Sequence, residues 1–226
     1  EGVYTQLIIL TSDGLFAGGR EGICLSSSIT TNNVFRRITV NGKTDGLPIG
    51  VNPDQIKMLF TTTNTVIITT CAGEVHVLSY FNEAIRGNGT VTGSPLQWSK
   101  VMQNATTPLS NVIVARGNAK VGFALKSDGT LWTWGENTFL GDGSASVTRD
   151  FATQMTLPTG MPAVKMIQSA YSYFDEGSSY YVLGTDKKIY ALGYNDYGQL
   201  GDRTTQQRNV WVNAKTSQVL PMNPSY

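Results

Sequence analysis

Few side chains in this sequence are of the types that do bond-making chemistry. His76 is the only histidine in 226 residues. It alternates with Val75 and Val77 in a strand-like run, which points to a structural or solvent-facing ring rather than a general base. Without a second imidazole no histidine-based metal cluster can form, and neither a G-x-S-x-G elbow nor a phosphate-loop spacing occurs. Asp128, Asp142, Asp186, Asp196 and Asp202 could be paired as acid and base, but they recur at turn positions, where Asp hydrogen-bonds its own backbone. Cys24 and Cys71 have no Cys or His at ligand spacing, which excludes a zinc site of the usual kind. The two cysteines fit either two buried thiols or a Cys24–Cys71 disulfide in an oxidising compartment. No catalytic residue, cofactor or metal is expected.

Recognition chemistry has a better candidate. Val112 to Leu125 spans 13 positions and the corresponding stretch from Val164 to Leu183 spans 19, an insertion of six residues. It reads Tyr171-Ser-Tyr173-Phe174-Asp175-Glu176-Gly-Ser-Ser-Tyr180. Aromatic rings bury area at low entropic cost beside adaptable Ser and Gly, so Tyr171, Tyr173, Phe174 and Tyr180 with the acids Asp175 and Glu176 form a candidate binding loop for a protein partner. Two other readings are a loop folded over its own unit and a glycan site in which the tyrosines stack on sugar rings.

Charge narrows the partners. Charged residues make up 15% of the chain and the net charge is +1, so no polybasic face exists to neutralise a nucleic acid or an anionic membrane. Apolar runs such as Leu7 to Leu10 and Val66 to Ile68 are too short to cross a bilayer, and no charged leader with an apolar segment opens the sequence. The first residue, Glu1, suggests a processed or excised segment. Abundant Thr, Ser, Asn and Gly with few lysines favour an extracellular or cell-surface bacterial protein.

The elements that must carry these residues repeat. Val121-Gly-Phe-Ala-Leu-Lys-Ser-Asp128-Gly129-Thr-Leu-Trp132-Thr-Trp134-Gly135-Glu-Asn137 matches Tyr181-Val-Leu-Gly-Thr-Asp186-Lys-Lys-Ile-Tyr190-Ala-Leu192-Gly193-Tyr-Asn195. Gly193 follows Gly135 by 58 positions, as Asp186 follows Asp128. Gly14, Gly73 and Gly129 place two further hairpins in the same frame. Ile56, Val112 and Val164 open a strand before the hairpin, and Ile38, Trp98, Met155 and Val212 mark one after it. Each unit thus holds four short β-rich runs separated by Gly, Asn, Asp and Ser, the pattern of a propeller blade. Asp128-Gly129 reads as a two-residue type I′ turn. The alternation of Trp132, Trp134, Tyr190 and Leu192 reads as packing between neighbouring blades.

At Leu125-Lys-Ser-Asp-Gly-Thr-Leu-Trp-Thr-Trp-Gly-Glu-Asn137 and Ala191-Leu-Gly-Tyr-Asn-Asp-Tyr-Gly198-Gln-Leu-Gly201-Asp202 the sequence resembles the regulator of chromosome condensation repeat. Unit four carries the fuller signature, and unit three keeps Gly135, Asn137, Leu140 and Gly141. Units one and two, with Gly18-Gly-Arg-Glu-Gly22 and Ser79-Tyr-Phe-Asn82, are degenerate. The resemblance implies an all-β propeller of four-stranded antiparallel blades, normally seven, acting through its loops, as an exchange factor for a small GTPase and a β-lactamase inhibitor of this family do. About four units are expected here, over residues 1–50, 51–107, 108–160 and 161–218, with 219–226 leading towards another. The first unit lacks its leading strand, so the sequence reads as an arc of a larger wheel. The functional expectation is a non-enzymatic protein-binding module, with glycan adhesion and nucleotide exchange on a small GTPase as alternatives. Asn88-Gly-Thr90 and Asn104-Ala-Thr106 also fit the glycosylation triplet.

Overall fold

In the computed structural model the described residues are 5–20, 32–40, 43–62, 65–79, 84–90, 97–118, 120–172 and 177–215. They form four antiparallel sheets, each a meander in chain order. The first sheet has three strands, β1 (Thr5–Thr11), β2 (Gly14–Arg20) and β3 (Asn32–Arg37). The second holds β4 (Ile56–Thr61), β5 (Thr65–Thr70), β6 (Val75–Ser79) and β7 (Trp98–Lys100). The third holds β8 (Val112–Gly117), β9 (Val121–Lys126), β10 (Leu131–Thr138) and β11 (Val147–Gln154). The fourth holds β12 (Val164–Ser172), β13 (Gly177–Gly184), β14 (Ile189–Gly193) and β15 (Arg208–Asn213). These are blades one to four of an all-β propeller. Among the described residues no helix is long and apolar enough to cross a membrane.

Strands β4, β8 and β12 are the inner strands, because β8 touches both of the others. Among the described residues blade one has three strands, with β1 in the place of β5, β9 and β13. Period-two alternation gives every middle strand two working faces, so each seam between blades closes on side chains from both sides. Leu15 and Ala17 meet Val66, Ile68 and Leu78 at the first seam. Ile67, Val75 and Val77 meet Ala124 and Trp134 at the second. Phe123, Leu125 and Leu131 meet Tyr180, Val182 and Leu192 at the third. Three of the four tryptophans rivet these seams: Trp98, Trp134 and Trp211 each donate an indole N–H to a carbonyl of the preceding blade, at Gly46 (2.9 Å), Ile85 (2.7 Å) and Thr156 (3.0 Å). A buried indole needs such an acceptor.

Two expectations change in detail. The Asp128-Gly129 hairpin is not type I′: among its residues only Gly129 takes positive φ, at +83°. Its N–H bonds the Lys126 carbonyl at 3.0 Å, so the loop is a type I turn closed by one left-handed residue. Gly73 (φ +77°) and Lys187 (φ +65°) fill the same place in blades two and four. The residues that truly correspond after the outer strands are Ile38, Val101, Met155 and Ala214, whose N–H groups bond the carbonyls of Leu15, Val75, Leu131 and Ile189. Trp98 and Val212 lie within the outer strands and are offset from that register.

A candidate recognition site at blade four

The insertion in blade four lengthens the ladder. Gly117 pairs with Gly122 as the last rung of β8 and β9, and the matching rung in blade four is Ser169 with Tyr180. Three further rungs follow, Ala170–Ser179, Tyr171–Ser178 and Ser172–Gly177, which account for all six inserted residues. Tyr171 therefore lies in β12. Tyr173, Phe174, Asp175 and Glu176 join Ser172 to Gly177 and lie outside the described residues.

Tyr180 is not part of an exposed cluster. It is fully buried at the seam with blade three, its hydroxyl 3.0 Å from Thr133 Oγ1 and its ring edge-on to Phe123 at 5.1 Å. The rung alternation explains this: Tyr180 and Val182 share the face turned to blade three, where Gly122 leaves room for Trp134 in the blade before. Burial pushes the Tyr180 phenol well above its usual range.

The base of the extended hairpin is held on both sides. The Tyr194 ring occupies the space a Cβ at Gly177 would need, and stacks edge-on against Phe139 at 5.8 Å. Ser179 Oγ donates to the Tyr194 carbonyl at 2.8 Å, and Asn118 of blade three donates to Ser178 Oγ at 3.1 Å. The hairpin thus projects from a fixed platform.

Beside it runs the loop from Gly193 to Arg208. Gly193 has φ +115°, and a Cβ there would overlap the Ser178 carbonyl. Gly198 and Gly201 also take positive φ, at +73° and +67°. Asn195 is buried and acts as the hub: its Oδ1 accepts from Leu200 N–H (2.8 Å), and its Nδ2 reaches Asp202 Oδ1 (3.1 Å) and the carbonyls of Thr204 (2.9 Å) and Gln206 (3.1 Å). Burial pushes the Asp202 carboxyl upward, but bonds from Thr204, Arg208 and Asn195 outweigh it and hold it at about 2. Tyr197, at 71% exposure, stands out on this loop.

Three residues of this loop belong to a device that sequence reading passed over. Asn88-Gly89-Thr90, Asp142-Gly143-Ser144 and Asp202-Arg203-Thr204 are the same turn, in which the Asn or Asp oxygen accepts from the N–H and hydroxyl two residues on. In blade two the turn pairs Asn88 with Phe151 of β11, and in blade three it pairs Asp142 with Val210 of β15. Gly89 N–H bonds the Asp150 carbonyl (2.9 Å) and Gly143 N–H bonds that of Asn209 (3.0 Å). These two turns each hook the outer strand of the following blade. The sequence signal was the Asn/Asp-x-Ser/Thr triplet, which at Asn88 has the form of a glycosylation site. Asn104 closes a similar turn on Thr106.

Several solved structures share this arrangement. Human WBSCR16 matches with a TM-score of 0.63 at 16% identity, over 92% of this chain and 49% of that one. Yeast RCC1 (Prp20), in a structure with bound Kap60, matches with a TM-score of 0.65 at 13% identity, over 94% and 47%. Prp20p from Saccharomyces cerevisiae, described with its binding properties to Gsp1p and histones, matches at 0.63 and 13%, over 94% and 49%. The chain has the RCC1 propeller fold. It spans about half the length of the structures it matches. No protein-family model and no curated protein matches the sequence.

The signature residues of the RCC1-type blade are structural in this propeller. Trp134 is fully buried at the second seam. Gly135 (φ +111°) sits where a Cβ would strike the Lys120 carbonyl, and Gly141 (φ +79°) lies beneath the Trp211 indole. Asn137 takes φ +50°. In blade one, Gly19 (φ +109°), within the degenerate Gly18-Gly-Arg-Glu-Gly22 string, takes the place of Gly135 and Gly193. Asp128 and Asp186 cap their turns through Thr130 and Lys188 N–H. His76 is buried, 3.6 Å from Glu74, and burial pushes its pKa down, with Lys100 adding to that. Cys71 is exposed at its turn, so it is not a buried thiol; Cys24 lies outside the described residues. Among the described residues no group of three or more His, Cys, Asp or Glu could hold a metal.

Proposed function

We propose that this chain is a non-enzymatic, protein-binding portion of an RCC1-type propeller, and that the partner is gripped at the end of blade four. The observation that supports this reading is the three-rung extension of β12 and β13 on a fixed base, beside a loop that exposes Tyr197; in sequence Tyr173-Phe174-Asp175-Glu176 connect its last rung. A rigid scaffold lowers the entropy lost when such a connection is captured. The polar, lysine-poor composition supports a place in a secreted or cell-surface bacterial protein.

The test is affinity capture from the native milieu with the intact chain as bait. Replacing Tyr173 and Phe174 together by alanine is expected to abolish recovery of the partner, whereas Tyr180→Phe, a seam variant, leaves it intact. Capture that survives the double substitution removes the site. A second reading, nucleotide exchange, draws on the likeness to Prp20p, described with its binding to Gsp1p. It requires faster release of labelled guanine nucleotide from a small GTPase in the presence of the chain. Binding on a glycan array that is lost in the double variant would replace both readings with an adhesive module.

A further inference from the structure

One ring position recurs in all four blades, and blade two fills it with a different kind of ring. The residue that follows Leu15, Val75, Leu131 and Ile189 is Phe16, His76, Trp132 and Tyr190. Each pairs with an outer-strand residue, respectively Arg37, Lys100, Gln154 and Asn213. This face is turned to the preceding blade, since Trp132 packs on the core of the second seam and Tyr190 on that of the third. His76 therefore faces blade one, as does Leu78 two residues on, which is buried with Leu15 and Leu47. Phe16, Trp132 and Tyr190 are partly exposed and keep one charge state through neutral and mildly acidic pH. His76 is 4% exposed and is the only histidine of the sequence.

The surroundings of His76 favour a neutral ring. Its Nε2 is buried without a hydrogen-bond partner among the described residues, and Glu74 Oε2 stands 3.6 Å away. That carboxylate is already committed, because Lys100 Nζ lies 2.9 Å from Oε1. A proton on His76 sets a second cation beside one shared carboxylate and takes its charge out of water. Strand β5, which pairs Ile68 with His76, carries no charged residue. From blade one, the segment after β3 packs on blade two: Trp98 donates to the Gly46 carbonyl (2.9 Å), and Leu47 is buried in the first seam. Its charged groups, Lys43 and Asp45, pair with each other at 3.2 Å, and Asp45 also accepts from Leu47 N–H. Arg36, paired with Ala17 on the same side of blade one, is exposed. Burial pushes the His76 pKa down and Lys100 adds to that, while Glu74 opposes both only in part.

We propose that His76 makes the seam between blades one and two the acid-sensitive joint of this propeller, loosened in a mildly acidic medium while the seams joining blades two, three and four stay closed. A histidine freed from the seam regains its ordinary 6.5, so the opened chain takes up the proton before the closed one does. The stabilisation from neutral His76 is therefore complete above 6.5 and is lost as pH falls from there towards the lower folded value. Glu74 and Asp45 are both held below their ordinary carboxylate values and stay ionised across that window. The second and third seams carry Trp132 and Tyr190 at the corresponding place, and neither ring takes up a proton there.

A single histidine makes the test direct. In the 226-residue chain carrying isotope-labelled histidine, one imidazole resonance follows the titration, and a midpoint below 6.5 is expected. Amide hydrogen exchange at about pH 7.5 and 5.5, corrected for its intrinsic pH dependence, locates the response. Protection in β1 to β3 should fall by up to about tenfold, the limit for a group ordinarily at 6.5 that stays unprotonated at 5.5 in the closed seam. Protection in β8 to β15 should not change. His76→Phe, which installs the ring that blade one carries at this position, should keep its blade-one protection at both pH values. If that variant loses its strand signature in circular dichroism, His76→Gln takes its place. A His76 midpoint at or above 6.5, a loss spread evenly over all four blades, no loss at all, or a loss that persists in the variant would each overturn the proposal.

Discussion

Blades three and four close the connection between their third and fourth strands in different ways with nearly the same letters. In blade four, Gly193 and Gly201 are separated by a loop whose hub is buried Asn195, and Arg208 seals it through Asp202 (2.6 Å). In blade three, Gly135 and Gly141 enclose two fewer residues, and Asn137 takes the left-handed conformation. Arg149, the counterpart of Arg208, bonds the Thr138 carbonyl (2.8 Å) and hydroxyl (2.7 Å). An asparagine in a repeat signature can serve as a hydrogen-bond hub or as a residue that tolerates positive φ. Loop length decides which, because only the longer loop brings enough backbone within reach of one amide.

The largest effect expected from this comparison concerns what the two loops share. Gly193→Ala sets a Cβ against the Ser178 carbonyl at φ +115°. The neighbour is backbone and cannot move aside, so a loss of about 3 kcal/mol is expected. Gly129→Ala, at φ +83° with open space around it, should cost only about 1 kcal/mol. Urea midpoints at constant m-value read the difference. Equal losses would show that φ alone sets the cost and that the crowding at Gly193 is relieved elsewhere.

The next effect separates the two asparagines. Asn195→Ala leaves the buried Leu200 N–H and the carbonyls of Thr204 and Gln206 without their partner, so about 2 kcal/mol is expected. Asn137→Gly should shift stability by only a few tenths of a kcal/mol, and favourably, because glycine adopts φ +50° without strain. If the two variants lose equally, Asn137 is a hub as well and the comparison fails.

Much of the fold was legible because periodicity two and the recurring glycines act locally. The blade pattern, the seam role of Trp134 and Leu192, and the Asp turns all follow from residue type and spacing. What escaped depends on partners distant in sequence. Tyr180 looked like a loop aromatic, because nothing in its neighbourhood shows that the insertion adds paired rungs and sets the ring opposite Thr133, 47 residues away. The hooks escaped for the same reason: the triplets are visible, but the strands they hold belong to the next blade. A β-bulge follows the first rung of β4, β8 and β12, between Ile56 and Met58, Val112 and Val114, and Val164 and Met166. No single residue type marks it, since Lys57 and Lys165 fill it in blades two and four and Ile113 in blade three.

The smallest effect is in acid, where the two loops should part again. Asp202, held at about 2 against an ordinary 3.8, contributes stability that is complete above pH 3.8 and is lost as pH falls through 2, since the unfolded chain takes up the proton first. Asp142 in blade three is also held low, through Ser144, but Arg149 is spent on Thr138 rather than on a direct ion pair with it. Asp202→Asn should therefore be less stable than the unmodified chain at pH 5 by on the order of 1 kcal/mol, allowing for solvent screening. That gap should close between pH 4 and 2, while the gap for Asp142→Asn stays smaller throughout. Thermal midpoints of the three proteins across this range check it. A gap for Asp202→Asn that persists at pH 2 would mean that Asp202 acts through its hydrogen-bond geometry and not its charge, in which case the two loops differ in length and hub alone.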